Sequence, residues 1–175
     1  MQDPNELFDI VDDHDRVIGR ATRAEVHARQ LWHRAVHVFL FNRQGELYIQ
    51  QRALTKDTSP GCFDSSASGH LDAGESYDDA VHRELREELA LTVSPDLLVR
   101  TLRLDARPET GWEFVWVYTL TGDFQPTPNP REISAGYFRD RSQIAALVTE
   151  QPATCAPAFR LIFQEFCRRG LWPVY

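Results

Sequence analysis

Apolar and polar positions along this chain predict strands first, a helix near the middle, and more helices at the end. LFDIV (7–11) and RVIGR (16–20) are short apolar runs divided by the turn-rich DDHD, so a hairpin is expected there. TRAEVHARQ (22–30) sets helix-forming residues behind a threonine cap and predicts a short helix. RAVHVFLF and ELYIQQR, joined by NRQG, predict a second hairpin, and ALTKDTSPGCFDSSASG (53–69) reads as a long loop. LLVRTLRLD and WEFVWVYTL predict two further strands, and GYF (136–138) a last short one. The intervening TGDFQPTPNPREIS (121–134) is broken by three prolines and reads as loop. Helices are expected over 142–148 and 157–169. In the second, Phe159, Ile162, Phe163 and Phe166 form an apolar stripe that Gly170 stops. No repeat or linker interrupts the pattern. Residues 1–175 are therefore expected to form one domain, with 1–31 as a hairpin-and-helix extension. The order of elements predicts an α/β fold, a mixed β-sheet sandwiched by helices.

The most informative segment is GHLDAGESYDDAVHRELREELAL, residues 69–91. Ser76 followed by Asp79 is a capping-box variant, so a helix should begin near Tyr77. Val81, Leu85 and Leu89 recur every four residues as its core-facing stripe. Glu84, Glu87 and Glu88 stand at i, i+3 and i+4, which brings their carboxylates toward one another on another face. Like charges so spaced repel, and a hard divalent cation such as Mg²⁺, bound through carboxylates and substrate phosphates, would offset that. For E-x-x-E-E alone, a solvated acidic face salt-bridged to Arg83 and Arg86 is the plainer reading.

Composition narrows the partners. The chain is 42% hydrophobic and 26% charged, ordinary for a globular protein, with a net charge of −7. That charge repels nucleic-acid backbones, so the expected partner is a small molecule, and an anionic one needs local cations or metal ions. Three cysteines, an odd number without close pairs, do not make a disulfide framework. The acidic N-terminus lacks a leader-like apolar core, and no apolar run approaches a membrane span. A cytoplasmic protein, monomer or homodimer, is the expectation.

The spacing from Gly69 through Glu75 to Arg83-Glu84-Leu85-x-Glu87-Glu88-x-Ala90-Leu91 resembles the Nudix box, G-x5-E-x7-R-E-U-x-E-E-x-G-U with U aliphatic. Only Ala90 departs, standing where the family usually has glycine. Alanine there suggests a backbone that avoids positive φ. The resemblance implies the Nudix α/β/α sandwich and metal binding by Glu84, Glu87 and Glu88. It also implies a Glu75–Arg83 pair that orients loop and helix, and a Gly69 backbone close to the metal. The implied reaction is hydrolysis of a diphosphate linkage, X–O–P–O–P, in a nucleoside diphosphate derivative, with Mg²⁺ or Mn²⁺ as cofactor.

The segment FLFNRQGELYIQQRALTKDTSPGCFDSSASGH also resembles the isopentenyl-diphosphate isomerase branch of that superfamily. His33 and His70 match two metal-binding histidines of the isomerases, His27 a third if one residue is deleted, and Glu113 a glutamate ligand. Ser68 replaces the isomerase cysteine, however, and Gly111 stands near an expected second glutamate, while all three box glutamates are kept. A serine hydroxyl substitutes poorly for a thiol in alkene protonation. Hydrolase is therefore preferred to isomerase, and a non-catalytic Nudix-fold binding module ranks below both.

For the proton acceptor, Glu84 or the loop residue Glu132 is expected. Glu113 should point to the face opposite Trp112 and Phe114, as a fourth acid toward the helix glutamates. Arg52 and Lys56 are candidates for phosphate contact. Trp32, Trp112, Trp116 and Tyr118 read as core rather than as a base-stacking pocket. Cys62 receives no role.

Overall fold

A computed structural model describes residues 3–173, so the ends of the expected 1–175 span lie outside the described residues. The first expected hairpin forms as β1 (Leu7–Val11) and β2 (Val17–Thr22), a separate two-stranded sheet. Helix α1 (Arg23–Arg29) follows, with Thr22 and Glu25 closing a reciprocal capping box. Phe8, Ala21 and Val26 seal these elements with a small apolar cluster. The hairpin leans on the rest of the chain by main-chain bonds: Val11 N–H donates to Trp32 O and Ala73 N–H to Leu7 O, both at 2.9 Å.

The main sheet has seven strands. β3 (His33–Phe41) and β4 (Leu47–Arg52) form the second expected hairpin. The stretch read as loop contains two more strands, β5 (Phe63–Asp64) and β6 (Ala67–His70), so that expectation is corrected. Only partners distant in sequence, β4 for the former and β3 for the latter, make strands of such short, Ser-rich runs. β7 (Val99–Leu104) and β8 (Glu113–Thr121) pair antiparallel, and β8 pairs parallel with β3 in the centre. The last strand, β9 (Ile133–Arg139), is longer than GYF and begins inside the segment read as loop, because it has β4 to pair with.

Helix α2 (Tyr77–Leu89) starts behind the Ser76 cap, which accepts the Asp79 N–H. Helix α3 (Arg141–Glu150) extends beyond the expected 142–148, held by an Asp140–Gln143 capping box. Helix α4 spans Pro157–Arg169 as read, with Gly170 left-handed at its end. The alternation of β3 divides the core. Val36, Val38 and Leu40 pack against Val81, Leu85 and Leu89 of α2, while Phe39 and Phe41 pack with Phe159 and Phe166 of α4 and with Trp172. Tyr118 and Trp116 join the α2 side, in keeping with the core reading of those aromatics. Among the described residues, no helix is long and apolar enough to cross a membrane.

Ala90 corrects one expectation. Its φ is +54° and its ψ +31°, a left-handed residue where glycine would be unstrained. The helix end dictates this: Ala90 N–H bonds Arg86 O, and Leu91 N–H turns back to Leu85 O at 3.0 Å.

Candidate active site

Strand β6 is the partition of the site. In its antiparallel register with β3, Val36 faces Gly69 and His37 faces Ser68. Gly69 therefore lies on the α2 face, whereas Ser68 and His70 lie on the α4 face with His33, Ala35 and His37. A cleft wraps this strand. One lobe, on the α2 side, is lined by the box carboxylates, Arg83, Asn129 and Glu132. The other, toward α4, is lined by His27, His37, Asp64 and Glu113. Arg23, Lys56, Ser68, Gly69 and His70 border both.

On the α2 face, two glutamates converge on β6. Glu84 lies over Gly69 so closely that a β-carbon there would stand 1.9 Å from Oε1, which only glycine permits. Glu88 Oε2 accepts the Ser68 N–H at 3.0 Å and Gln50 Nε2 at 3.1 Å. Both residues are buried, and burial pushes both carboxyls up; Glu87 adds to the effect on Glu84, and Glu84 to that on Glu88. Arg83 opposes this at Glu84, and Lys56, with Nζ 4.0 Å from Glu88 Oε1, opposes it at both. Glu87 differs from its neighbours. Its side chain is 57% exposed at the rim and reaches Arg83 at 3.4 Å. The helical step spreads residues i, i+3 and i+4 over an arc, so the three carboxylates do not share one depth.

The frame around these acids is a dense set of ion pairs and hydrogen bonds. Arg83 grips Glu75 through Nε at 2.9 Å and a second nitrogen at 2.8 Å, donates to Glu84 Oε1 at 2.6 Å, and donates to His70 O at 2.8 Å. Lys56, buried, is ion-paired with Glu132, so the loop glutamate sits beside the box carboxylates but is already engaged. Arg52 is likewise buried, bound to Asp64 at 2.9 Å and to Thr58 O at 3.1 Å. Asn129 straps the proline-rich loop to the end of α2. Its N–H donates to Glu88 O at 2.8 Å and its side-chain amide to Glu87 O at 3.1 Å, satisfying carbonyls the helix leaves open.

On the α4 face, His27, His33 and His70 bring one ring nitrogen each within 4.8 Å of one another. The His33 Nδ1 is bound to Leu31 O at 2.8 Å, and the Nε2 atoms of His27 and His33 are buried without a partner among the described residues. Glu113 Oε1 meets His70 Nε2 at 2.9 Å and lies 3.6 Å from His33 Nε2. Burial alone would raise the Glu113 carboxyl, yet the two histidines hold it well below the usual range. Burial holds His70 near a pKa of about 4. Orphaned imidazole nitrogens beside a carboxylate fit a divalent cation, because an unpaired buried nitrogen is otherwise costly. Phe8 of the N-terminal hairpin stacks on His33 and tilts against His70, covering one side of this cluster.

The structure thus brings Arg83, Glu84, Glu87, Glu88, Lys56 and Glu132 to one lobe, with Glu75 bound to Arg83 beside it. Glu113 does not join them as a fourth acid; the His33↔Glu113 register of β3 and β8 aims it at the histidines. Sequence reasoning passed over Arg23, His37 and Asp64. The alternation of β3 was the available signal for His37, which follows His33 and Ala35 at period two. Nothing local marked Arg23, which reaches His70 Nδ1 at 3.2 Å only because α1 folds back.

The NUDIX domain family model matches residues 31–156. The chain is 38% identical over 128 residues to an uncharacterized Nudix hydrolase of Streptomyces coelicolor, covering 72% of this chain and 71% of that one. It is 30% identical over 160 residues to isopentenyl-diphosphate Delta-isomerase 2 of Photorhabdus laumondii, covering 90% of each. A crystal structure of a Deinococcus radiodurans protein superposes with a TM-score of 0.81 at 28% identity, over 91% of this chain and 98% of that one.

Proposed function

Since this chain belongs to the Nudix family, we propose that it is a divalent-cation-dependent hydrolase that cleaves the diphosphate linkage of a nucleoside diphosphate derivative. One observation carries the reading: the buried carboxylates of Glu84 and Glu88 meet the backbone of Gly69 and Ser68 at the wall of an open lobe. Two acids kept in low dielectric beside each other are a donor set for Mg²⁺ or Mn²⁺, with Glu87 completing it from the rim. When bound, the cation neutralises phosphate charge and makes water more acidic.

The protein groups then have distinct tasks. Lys56, which borders both lobes, offers its ammonium to phosphate oxygens, while Arg52, held by Asp64 and Thr58, frames the adjoining lobe. Glu75 and Arg83 hold the loop before α2 and the orientation of Glu84. We assign proton acceptance to Glu84, whose carboxyl burial pushes up so that it takes a proton more readily. Water oxygen bonds to phosphorus, its proton passes to Glu84, and the bridging P–O bond breaks toward the departing phosphate oxygen. The three free cysteines suit a reducing, cytoplasmic setting.

A second reading, isopentenyl-diphosphate isomerase, draws on the His27–His33–His70–Glu113 cluster. Against it, Ser68 and Gly111 supply neither a thiol nor a second acid there. The deciding experiment incubates the protein with Mg²⁺ and nucleoside di- and triphosphates, dinucleotide cofactors, nucleotide sugars and coenzyme A, alongside the two five-carbon diphosphates. Phosphate-containing products from the nucleotide panel are expected. Interconversion of the five-carbon diphosphates would reverse the ranking, and silence on every substrate would favour a binding module.

A further inference from the structure

The lobe on the α4 side is a cavity of about 230 Å³, below the roughly 300–1,000 Å³ of sites that take drug-sized ligands. It has room for one compact group. Its charged groups are largely paired with each other: Arg52 with Asp64, and Glu113 with His70. Arg23, Lys56 and Glu109 also border it, and beside these the wall carries neutral polar groups. His37, 4% exposed, lines the cavity, and its Nε2 has no hydrogen-bond partner among the described residues. Ser68 stands directly across the strand pair from His37, so the two side chains are neighbours on one face. The Ser68 hydroxyl makes no hydrogen bond among the described residues either, and it too lines the cavity.

The His37 ring is held from behind. Its Nδ1 is 2.7 Å from Ser65 Oγ, the Ser65 N–H donates to Asp64 Oδ1 at 2.8 Å, and Arg52 anchors Asp64 Oδ2 at 2.9 Å. The Ser65 hydroxyl can either donate to Nδ1 or accept from it, so Nε2 presents a lone pair or an N–H accordingly. A ligand hydroxyl satisfies either state, and it satisfies Ser68 as well. An alkyl chain satisfies none of these and would leave both groups dry and unpaired.

We propose that this lobe takes the group esterified to the diphosphate, that the group is a hydroxylated one of about sugar size, and that His37 and Ser68 select it over an apolar chain. The inference rests on the hydrolase reading and deepens it by naming the leaving group's chemistry.

The test compares the glucosyl and n-hexyl esters of each common nucleoside diphosphate, which share diphosphate and carbon number and differ in hydroxyls. The ratio of kcat/KM for the two is read from nucleoside monophosphate release. A preference for the glucosyl ester of at least about a hundredfold is expected, since a site built for a hydroxyl discriminates strongly against its absence. His37→Phe and Ser68→Ala should each cut that ratio at least tenfold, and His37→Gln, which keeps a hydrogen-bonding end, should restore most of it. Unchanged melting curves guard against misfolding, and Ser68→Ala alters the least volume. Equal cleavage of both esters, a ratio unmoved by the substitutions, or cleavage confined to nucleotides without an esterified group overturns the inference and leaves the hydrolase reading standing. No product from these esters or from any other diphosphate defeats the hydrolase reading itself.

Discussion

The carboxylate of Glu84 rests on the α-carbon of Gly69, with space for hydrogen and nothing larger between them. Strand β6 and helix α2 therefore meet at a point where one methyl group decides the geometry. Gly69→Ala is expected to push Glu84 out of place and lower turnover in Mg²⁺ at least about a hundredfold, the scale of losing one group that stabilises transition-state charge. Steady-state kinetics and calorimetric titration with Mn²⁺ check it. Wild-type turnover in a folded Gly69→Ala protein would show that the contact does not position a working carboxylate.

Glu87 is the exposed member of the trio, so Glu87→Gln should leave folding almost untouched. Turnover is nonetheless expected to fall at least about a hundredfold, because a ligand charge is removed. Chelation should silence the wild-type protein, and added Mg²⁺ or Mn²⁺ should restore it. Near-normal rates for Glu87→Gln would remove Glu87 from the ligand set.

The histidine cluster predicts a second cation locus that spectroscopy can separate from the first. Titration with Co²⁺ should give visible bands from imidazole-bound metal. His33→Ala should lose those bands and Glu87→Gln should keep them, as the two residues belong to different lobes. Identical spectra for the wild type and His33→Ala would discount the cluster as a metal site.

Ala90 holds a left-handed backbone at an exposed position, at a cost of roughly 1–2 kcal/mol for a residue with a β-carbon. Ala90→Gly should accordingly raise the melting temperature by about 2–8 °C with no change in kinetics. A lower melting temperature would mean that the alanine methyl contributes more than the backbone strain costs.

Asn129 is the strap between the proline-rich loop and α2. Asn129→Ala removes the bond to Glu87 O, worth about 1 kcal/mol. Amides of the 125–132 segment should then exchange with deuterium faster, while those of α4 remain as they were. Equal exchange in both proteins would assign the loop's order to its other contacts.

Several elements were legible in the linear chain for local reasons. The Ser76 cap, the four-residue apolar spacing of α2, the phenylalanine stripe of α4 and the glycine behind it specify those helices from within. β5 and β6 were not legible, since FDSSASGH has little intrinsic preference for a strand and gains it from the edges of β3 and β4. Ala90 misled for a related reason. A residue type reports what a backbone angle costs, not whether helix termination will impose it.

By itself the sequence determined the family and the central helix, along with the spacing of the three box glutamates, because these follow from periodicity and from residue types at fixed intervals. Only the tertiary structure decided depth and company: that Glu88 is buried and Glu87 exposed, that Glu113 turns to the histidines, and that His37 and Ser68 stand side by side in a second lobe. Those outcomes depend on strand register and on contacts between residues far apart in the chain, which no local pattern encodes.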